Sequence, residues 1–129
     1  MLNRRQFAIS ALGSVLQAQP APLKIGHRQA NMTHEPGPGV FDIARRIPGI
    51  GGVELQVQFQ KTTLWDRETL LAYKQGAEKA GLAIPSLAGV WTRGASLMQP
   101  GPAEETLRKS IQAAEALRAK VILVAAFEK

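Results

Sequence analysis

The sequence predicts an α/β fold, a parallel sheet of consecutive βα units with its helices outside. Three observations carry this. The stretch Gly52-Val53-Glu54-Leu55-Gln56-Val57-Gln58-Phe59 alternates strictly, setting Val53, Leu55, Val57 and Phe59 against Glu54, Gln56 and Gln58. In a strand those two sets lie on opposite faces. The stretch also stands between two helix-like segments, which favours βαβ units over a solvated antiparallel sheet. Strand-like and helix-like segments then recur along the chain at roughly thirty residues, the length of one βαβ unit. In such a sheet the apolar row packs under the helices. The acid and the amides line an interior or a cavity, and three polar side chains in a row make a poor core but a good floor for a site.

The elements follow in order. Leu23 to Ala30 reads as the first strand, behind a spacer at 19–22 holding Pro20 and Pro22. His34-Glu35-Pro36-Gly37-Pro38-Gly39 is a loop by composition, and solvation of His34 and Glu35 is the expected reading. Val40, Ile43, Ala44 and Ile47 recur at helical spacing until Pro48-Gly49 stops them. After the central strand, Asp66 suits an N-cap, with Leu70, Tyr73, Ala77 and Ala80 as the buried stripe. Gly81 stands where a left-handed residue closes that helix. Leu82 to Trp91 is the third strand, with Pro85 awkward inside it because proline suits an edge or a strand start. A loop runs from Gly94 to Gly101. Pro102 then fits a first helical turn, with Glu104 and Glu105 near the positive end of the helix dipole. Leu107, Ile111, Ala114 and Leu117 form its apolar seam, and Val121 to Phe127, apolar on both faces, is the fourth strand.

Composition bounds the chemistry. The 129 residues are 45% hydrophobic and 20% charged, ordinary for one globular domain. No cysteine is present, which removes disulfides, thiolate metal sites and cysteine nucleophiles. Asn3-Arg4-Arg5-Gln6-Phe7-Ala8, the apolar run Ala8 to Leu16 and the small residue Ala18 resemble a twin-arginine export signal over 1–18. An amphipathic first helix is the alternative. The apolar run is far short of the about 20 residues that span a bilayer. Export to the periplasm is therefore expected, with no membrane attachment once the signal is removed. Without Arg4 and Arg5 the formal charge falls from +6 to +4, and the cations are scattered without interleaved aromatics. Nucleic acid is not an expected partner.

Three pieces carry a family resemblance. Ile50-Gly51-Gly52-Val53-Glu54-Leu55 resembles the "aGfdGVEl" second strand of the xylose-isomerase-like TIM barrels. Ala80-Gly81-Leu82-Ala83-Ile84-Pro85-Ser86-Leu87 resembles the "aGLki.s" run into that family's third strand, and Glu105 to Val124 its third helix and fourth strand. The family holds sugar (phosphate) isomerases and epimerases, inosose dehydratases and endonuclease IV relatives. The resemblance implies that residues 23–129 are the N-terminal half of a (β/α)₈ barrel, four βα units of eight, since a whole barrel needs about 250 residues. Arg118-Ala119 departs from the usual Gly-Ala, placing a non-glycine residue at a left-handed position at a cost of about 1 kcal/mol.

The implied reaction is proton transfer next to a carbonyl through an enediolate. A divalent metal (Mn, Mg, Co or Zn) would grip neighbouring sugar oxygens while carboxylates shuttle the proton. The family's metal ligands, two Glu, an Asp and a His, match nothing in this chain, so the metal is expected with later strands and the chain is expected to be inactive alone. Val90-Trp91-Thr92 and Ala126-Phe127-Glu128 stand where endonuclease IV relatives place histidines, which argues against that branch.

Barrel sites lie at the C-terminal ends of strands. His27, Glu54, Gln56, Trp91 and Glu128 are the substrate-binding candidates there, with Gln58 beside them. Glu54 either hydrogen-bonds a sugar or is a structural acid paired with a base. His27 is a substrate contact or a satisfied, partly buried histidine, and Trp91 a stacking platform or an aromatic closing the barrel. Glu128 is a site residue or a frayed end, and Arg93-Gly94 a phosphate contact or a solvated loop. Two other architectures compete. One is a half-barrel that pairs with itself or with a separate C-terminal half, because its edge strands would be open. The other is a flavodoxin-like sheet of order 2-1-3-4, which lacks a glycine-rich phosphate loop here.

Overall fold

A computed structural model describes residues 23–90 and 100–124. In chain order the elements are β1 (Ile25–Arg28), α1 (Gln29–Met32), α2 (Val40–Ala44), β2 (Ile50–Gln56), β3 (Gln58–Phe59), β4 (Thr62–Thr63), α3 (Arg67–Ala80), β5 (Ser86–Ala88), α4 (Pro100–Leu117) and β6 (Val121–Ile122). The fold is α/β, and the main sheet runs β1-β2-β5-β6 with every pairing parallel. Sequential strand order excludes the 2-1-3-4 arrangement.

The alternation of β2 decides where the helices go. Val53, Leu55 and Val57 are fully buried, while Glu54 and Gln56 between them are half-buried. Those three apolar side chains share one core cluster with Val40, Phe41 and Ala44 of α2, Tyr73 and Ala77 of α3, and Ala113, Ala114 and Leu117 of α4. Three helices contributing to one cluster on the odd-numbered row leave the even-numbered row on the other face. Phe41 meets Tyr73 edge to face, with centroids 6.3 Å apart and planes at 79°, a geometry that adds about 1 kcal/mol to the burial itself.

Both termini of α3 follow the local rules. Asp66 caps it, its carboxylate accepting from the Thr69 N–H at 2.8 Å, and Gly81 closes it at φ 68°. That backbone hydrogen bond holds the Asp66 carboxyl below its ordinary range. A depressed native value means the cap stabilises above the unfolded-state range and its contribution fades as pH falls through the native one. Asp66→Ala is therefore expected to lower the melting temperature at neutral pH and to leave the gap to the wild type smaller in acid. Thermal melts across pH 2–7 check it.

Several elements differ from their sequence reading, each for a physical reason. The first strand stops at Arg28, because the chain turns directly into α1. The central strand leaves the main sheet after Gln56. Gln58 and Phe59 pair antiparallel with Thr63 and Thr62 instead, around a tight turn in which Gln60 takes φ 55°. The first long helix is shorter and rotated, burying Val40, Phe41 and Ala44 and leaving Ile43 and Ile47 exposed. The third strand shrinks to Ser86–Ala88, since Pro85 cannot donate to the ladder, and only an isolated bridge joins Ala83 to Gly52 before it. In α4 the buried seam is Ala103, Thr106, Ser110, Ala113, Ala114 and Leu117, with Ile111 exposed. The Ser110 hydroxyl fits this small-residue face by donating to the Thr106 carbonyl at 2.7 Å. Within the described residues the fourth strand pairs at Val121 and Ile122, with the Leu123 N–H donating to the Leu87 carbonyl at 2.8 Å and Val121, Leu123 and Val124 exposed, while residues 125–127 of its sequence reading lie outside the described residues. Arg118 does adopt the left-handed conformation, at φ 58°.

Candidate functional site

Parallel register brings one residue from each of three strands level on the helix-free face. Arg28 of β1 pairs with Glu54 of β2, and the Leu55–Leu87 register sets Ser86 of β5 beside Glu54 on its other side. The side chains join. The Arg28 Nε donates to Glu54 Oε1 at 2.8 Å, and the Ser86 hydroxyl donates to Glu54 Oε2 at 2.8 Å. Side-chain exposure is 34% for Arg28 and 23% for Glu54. Both carboxylate oxygens are engaged, so Glu54 works as an orienting acceptor that fixes a guanidinium on one side and a hydroxyl on the other. Of the two roles open to it from sequence, the structure gives it the basic neighbour. The Arg28 terminal nitrogens and the Ser86 hydroxyl oxygen are then held at set positions on an accessible face, suited to a ligand rich in hydroxyl or other oxygen groups.

A second, buried network holds the rim above this row. Gln29 directly follows Arg28 and is 1% exposed. Its Nε2 donates to the Tyr73 hydroxyl oxygen at 2.7 Å, and the same oxygen accepts from the Gly37 N–H at 2.7 Å. The Gln56 N–H donates in turn to Gln29 Oε1 at 3.4 Å. One tyrosine on α3 therefore ties together the C-terminal ends of β1 and β2 and the loop at 33–39. Beside Gln56, Gly89 takes φ 78°, and a Cβ there would stand 3.4 Å from the Gln56 Cβ. The glycine lets the backbone leaving β5 pass close over the Gln56 side chain.

Glu54 and Gln56 thus share the helix-free face, while Gln58 lies in the β3–β4 hairpin. His27 is level with Val53, in the row opposite Glu54, and is exposed, with its Nδ1 accepting the Arg28 N–H at 2.9 Å. Register does not bring it to the Arg28–Glu54–Ser86 row. Trp91, Glu128 and Arg93-Gly94 lie outside the described residues. His34 and Glu35 are both exposed, as expected for a solvated loop, and the Glu35 N–H donates to the Thr33 hydroxyl at 2.9 Å.

Arg28, Ser86, Gln29 and Tyr73 are the residues that sequence reading did not single out for the site. A signal for Arg28 and Ser86 existed. Aligning the strands as parallel neighbours, with Glu54 at the centre, selects the one base and the one hydroxyl at its level. Among the described residues no group of three or more His, Asp or Glu side chains converges as metal ligands. Comparison with protein-family models gives no match, and comparison with curated proteins gives none either.

Proposed function

We propose that residues 23–129 form the N-terminal half of a xylose-isomerase-like barrel, exported by the twin-arginine signal at 1–18, that acts on a sugar or sugar derivative as an isomerase or epimerase. The observation that carries this reading is the row Arg28–Glu54–Ser86, a polar, internally hydrogen-bonded layer crossing three parallel strands on the face without helices. Sequential strand order and helices gathered on one face favour a barrel segment over an open, doubly wound sheet. In this reading the row binds and orients substrate hydroxyls, with Glu54 keeping the donors of Arg28 and Ser86 fixed. A divalent metal in this family polarises the substrate oxygens. The described residues do not fit one, because the only carboxylate of the row has both oxygens engaged.

The expected result is that the 129-residue chain, supplied with Mn²⁺ or Mg²⁺, turns over neither a ketose nor an inosose. Measurable turnover by the purified chain would overturn the half-barrel reading. Titration with a ketose is expected to shift the backbone resonances of residues 28, 54 and 86 ahead of those in the helices. Shifts confined to the helices would count against the row as the sugar floor.

A second reading, an assembly module, is favoured by a specific observation. Exposed apolar residues gather at both outer strands, with Leu23 93% and Ile25 60% exposed at β1 and Val121 57% exposed at β6. An open apolar edge invites pairing. In this reading the chain joins a second copy of itself or a separate half. Sedimentation equilibrium is expected to give a mass above 13.9 kDa that falls on dilution. A soluble, well-folded monomer at all concentrations would sink it.

A further inference from the structure

We propose a second binding site, at the end of the sheet opposite the Arg28–Glu54–Ser86 row, for a single-chain fatty carboxylate. A cavity of about 540 Å³ opens there, within the range of small-molecule pockets. It lies between the C-terminal halves of α3 and α4 and the N-terminal ends of the strands, as its lining shows. Ala77, Ile84 and Leu117 supply buried apolar lining. Every apolar residue of the lining is aliphatic, with no aromatic ring on which a base or a sugar would stack. Such a surface suits an alkyl chain.

The rim supplies the other half of the ligand. Lys24, Lys74, Arg118 and Lys120 line the cavity against a single acid, Glu78. None of the four cations has an ion-pair partner among the described residues. Basic residues near helix C-termini often do no more than complement the helix dipole. That explanation reaches Arg118 at the end of α4, but not Lys24 and Lys120, which precede strands, nor Lys74 in mid-helix. Arg118 also holds its place at φ 58°, where glycine would sit without strain. A strained, charged residue on the rim of an aliphatic cavity fits selection for the charge rather than for the turn. Aliphatic walls with a surplus of cations at the mouth match one anionic head on one saturated tail. The site shares no residue with the sugar row, so the two readings stand or fall separately.

Dodecanoate titrated below its micellar concentration into the full 129-residue chain, followed by calorimetry, tests the proposal. The expected result is saturable binding of one equivalent with a dissociation constant on the order of 10 µM. Dodecan-1-ol and acetate should each bind about tenfold more weakly or worse, since each lacks one half of the ligand. Lys24→Glu with Lys120→Glu, both in exposed connections, should cost about tenfold in affinity. Arg118→Gly relieves backbone strain and so keeps the fold, and it should weaken binding several-fold. Four outcomes would overturn the site, three of them from the ligand series. These are no saturation by dodecanoate, equal affinity for the uncharged alcohol, or binding to anionic vesicles without binding of free dodecanoate. Unchanged affinity in both the charge-reversed and the Arg118→Gly proteins would equally rule it out.

Discussion

Tyr73→Phe is expected to destabilise the protein by about 2–4 kcal/mol, although it removes a single oxygen. The reason is what that oxygen receives. The Gln29 amide and the Gly37 N–H both donate to it, each at 2.7 Å. Gln29 is 1% exposed, so its Nε2 would lose its partner where water cannot easily replace it. Leaving a buried donor unmade costs about 1–3 kcal/mol, and two are lost here, the second only partly buried. The phenylalanine ring itself would keep the edge-to-face contact with Phe41, so apolar packing is not the cause. Urea denaturation should therefore show a lower midpoint with an unchanged slope. The loop at 33–39 should lose amide-exchange protection before the core does, because Gly37 is tied to the body through the same oxygen. A loss under about 0.5 kcal/mol would mean that the Gln29 side chain finds another partner and that the rim does not depend on Tyr73. The double variant Gln29→Leu with Tyr73→Phe supplies the cross-check. It removes the buried donor together with its acceptor, at the expense of the longer 3.4 Å bond from the Gln56 N–H to Gln29 Oε1, and should still recover part of the loss.

How much of this arrangement was legible in the sequence depended on range. The alternation of Val53, Leu55 and Val57 against Glu54 and Gln56 is a period-two signal that needs no partner, and it placed both faces of β2. The Asp66 cap, the left-handed Gly81 and the left-handed Arg118 are equally local, fixed by one turn of backbone. What failed involved competition between neighbours. Ile43 and Phe41 both suit the apolar face of α2, and only the position of Tyr73 on the facing helix selects Phe41. In α4 the buried face is carried by Ala103, Ser110 and Ala113, while Ile111 is exposed. A close interface selects small residues, whereas a hydrophobicity pattern selects large ones. The exit of Gln58 and Phe59 from the sheet was hidden because the alternation continues unbroken into the hairpin. For the candidate site the acid was visible but its partners were not. Arg28 and Ser86 lie 26 and 32 residues from Glu54, and only strand register brings them together.

Gly52→Ala is expected to cost about 2–3 kcal/mol, while Gly51→Ala beside it should be close to neutral. The pair separates two meanings of glycine in one strand. A Cβ at Gly52 would stand 2.9 Å from the Ala83 carbonyl oxygen and 3.0 Å from the Pro85 Cδ. Neither neighbour is the free end of a flexible side chain. The oxygen is backbone and accepts the Val53 N–H at 2.9 Å, and the proline ring is fixed to its own main chain. Relieving the clash therefore means moving the start of β5 away from β2, and overpacking of this kind costs about 1–3 kcal/mol. The bridge between Gly52 and Ala83 would weaken as well, which places the expectation in the upper part of that range. At Gly51 the nearest atom to a new Cβ is the Ile25 carbonyl oxygen at 3.6 Å, an ordinary contact, so alanine there only reduces the freedom of the unfolded chain. Equilibrium unfolding of the two single variants decides it. If both behave alike, the close approach of β2 to the Ala83–Pro85 segment is not what makes glycine necessary at position 52. If Gly52→Ala alone falls, the spacing that sets Ser86 within 2.8 Å of Glu54 rests on that missing side chain. The Glu54 and Ser86 resonances should then move with it, joining the close approach at Gly52 to the geometry of the row two residues further along the same face.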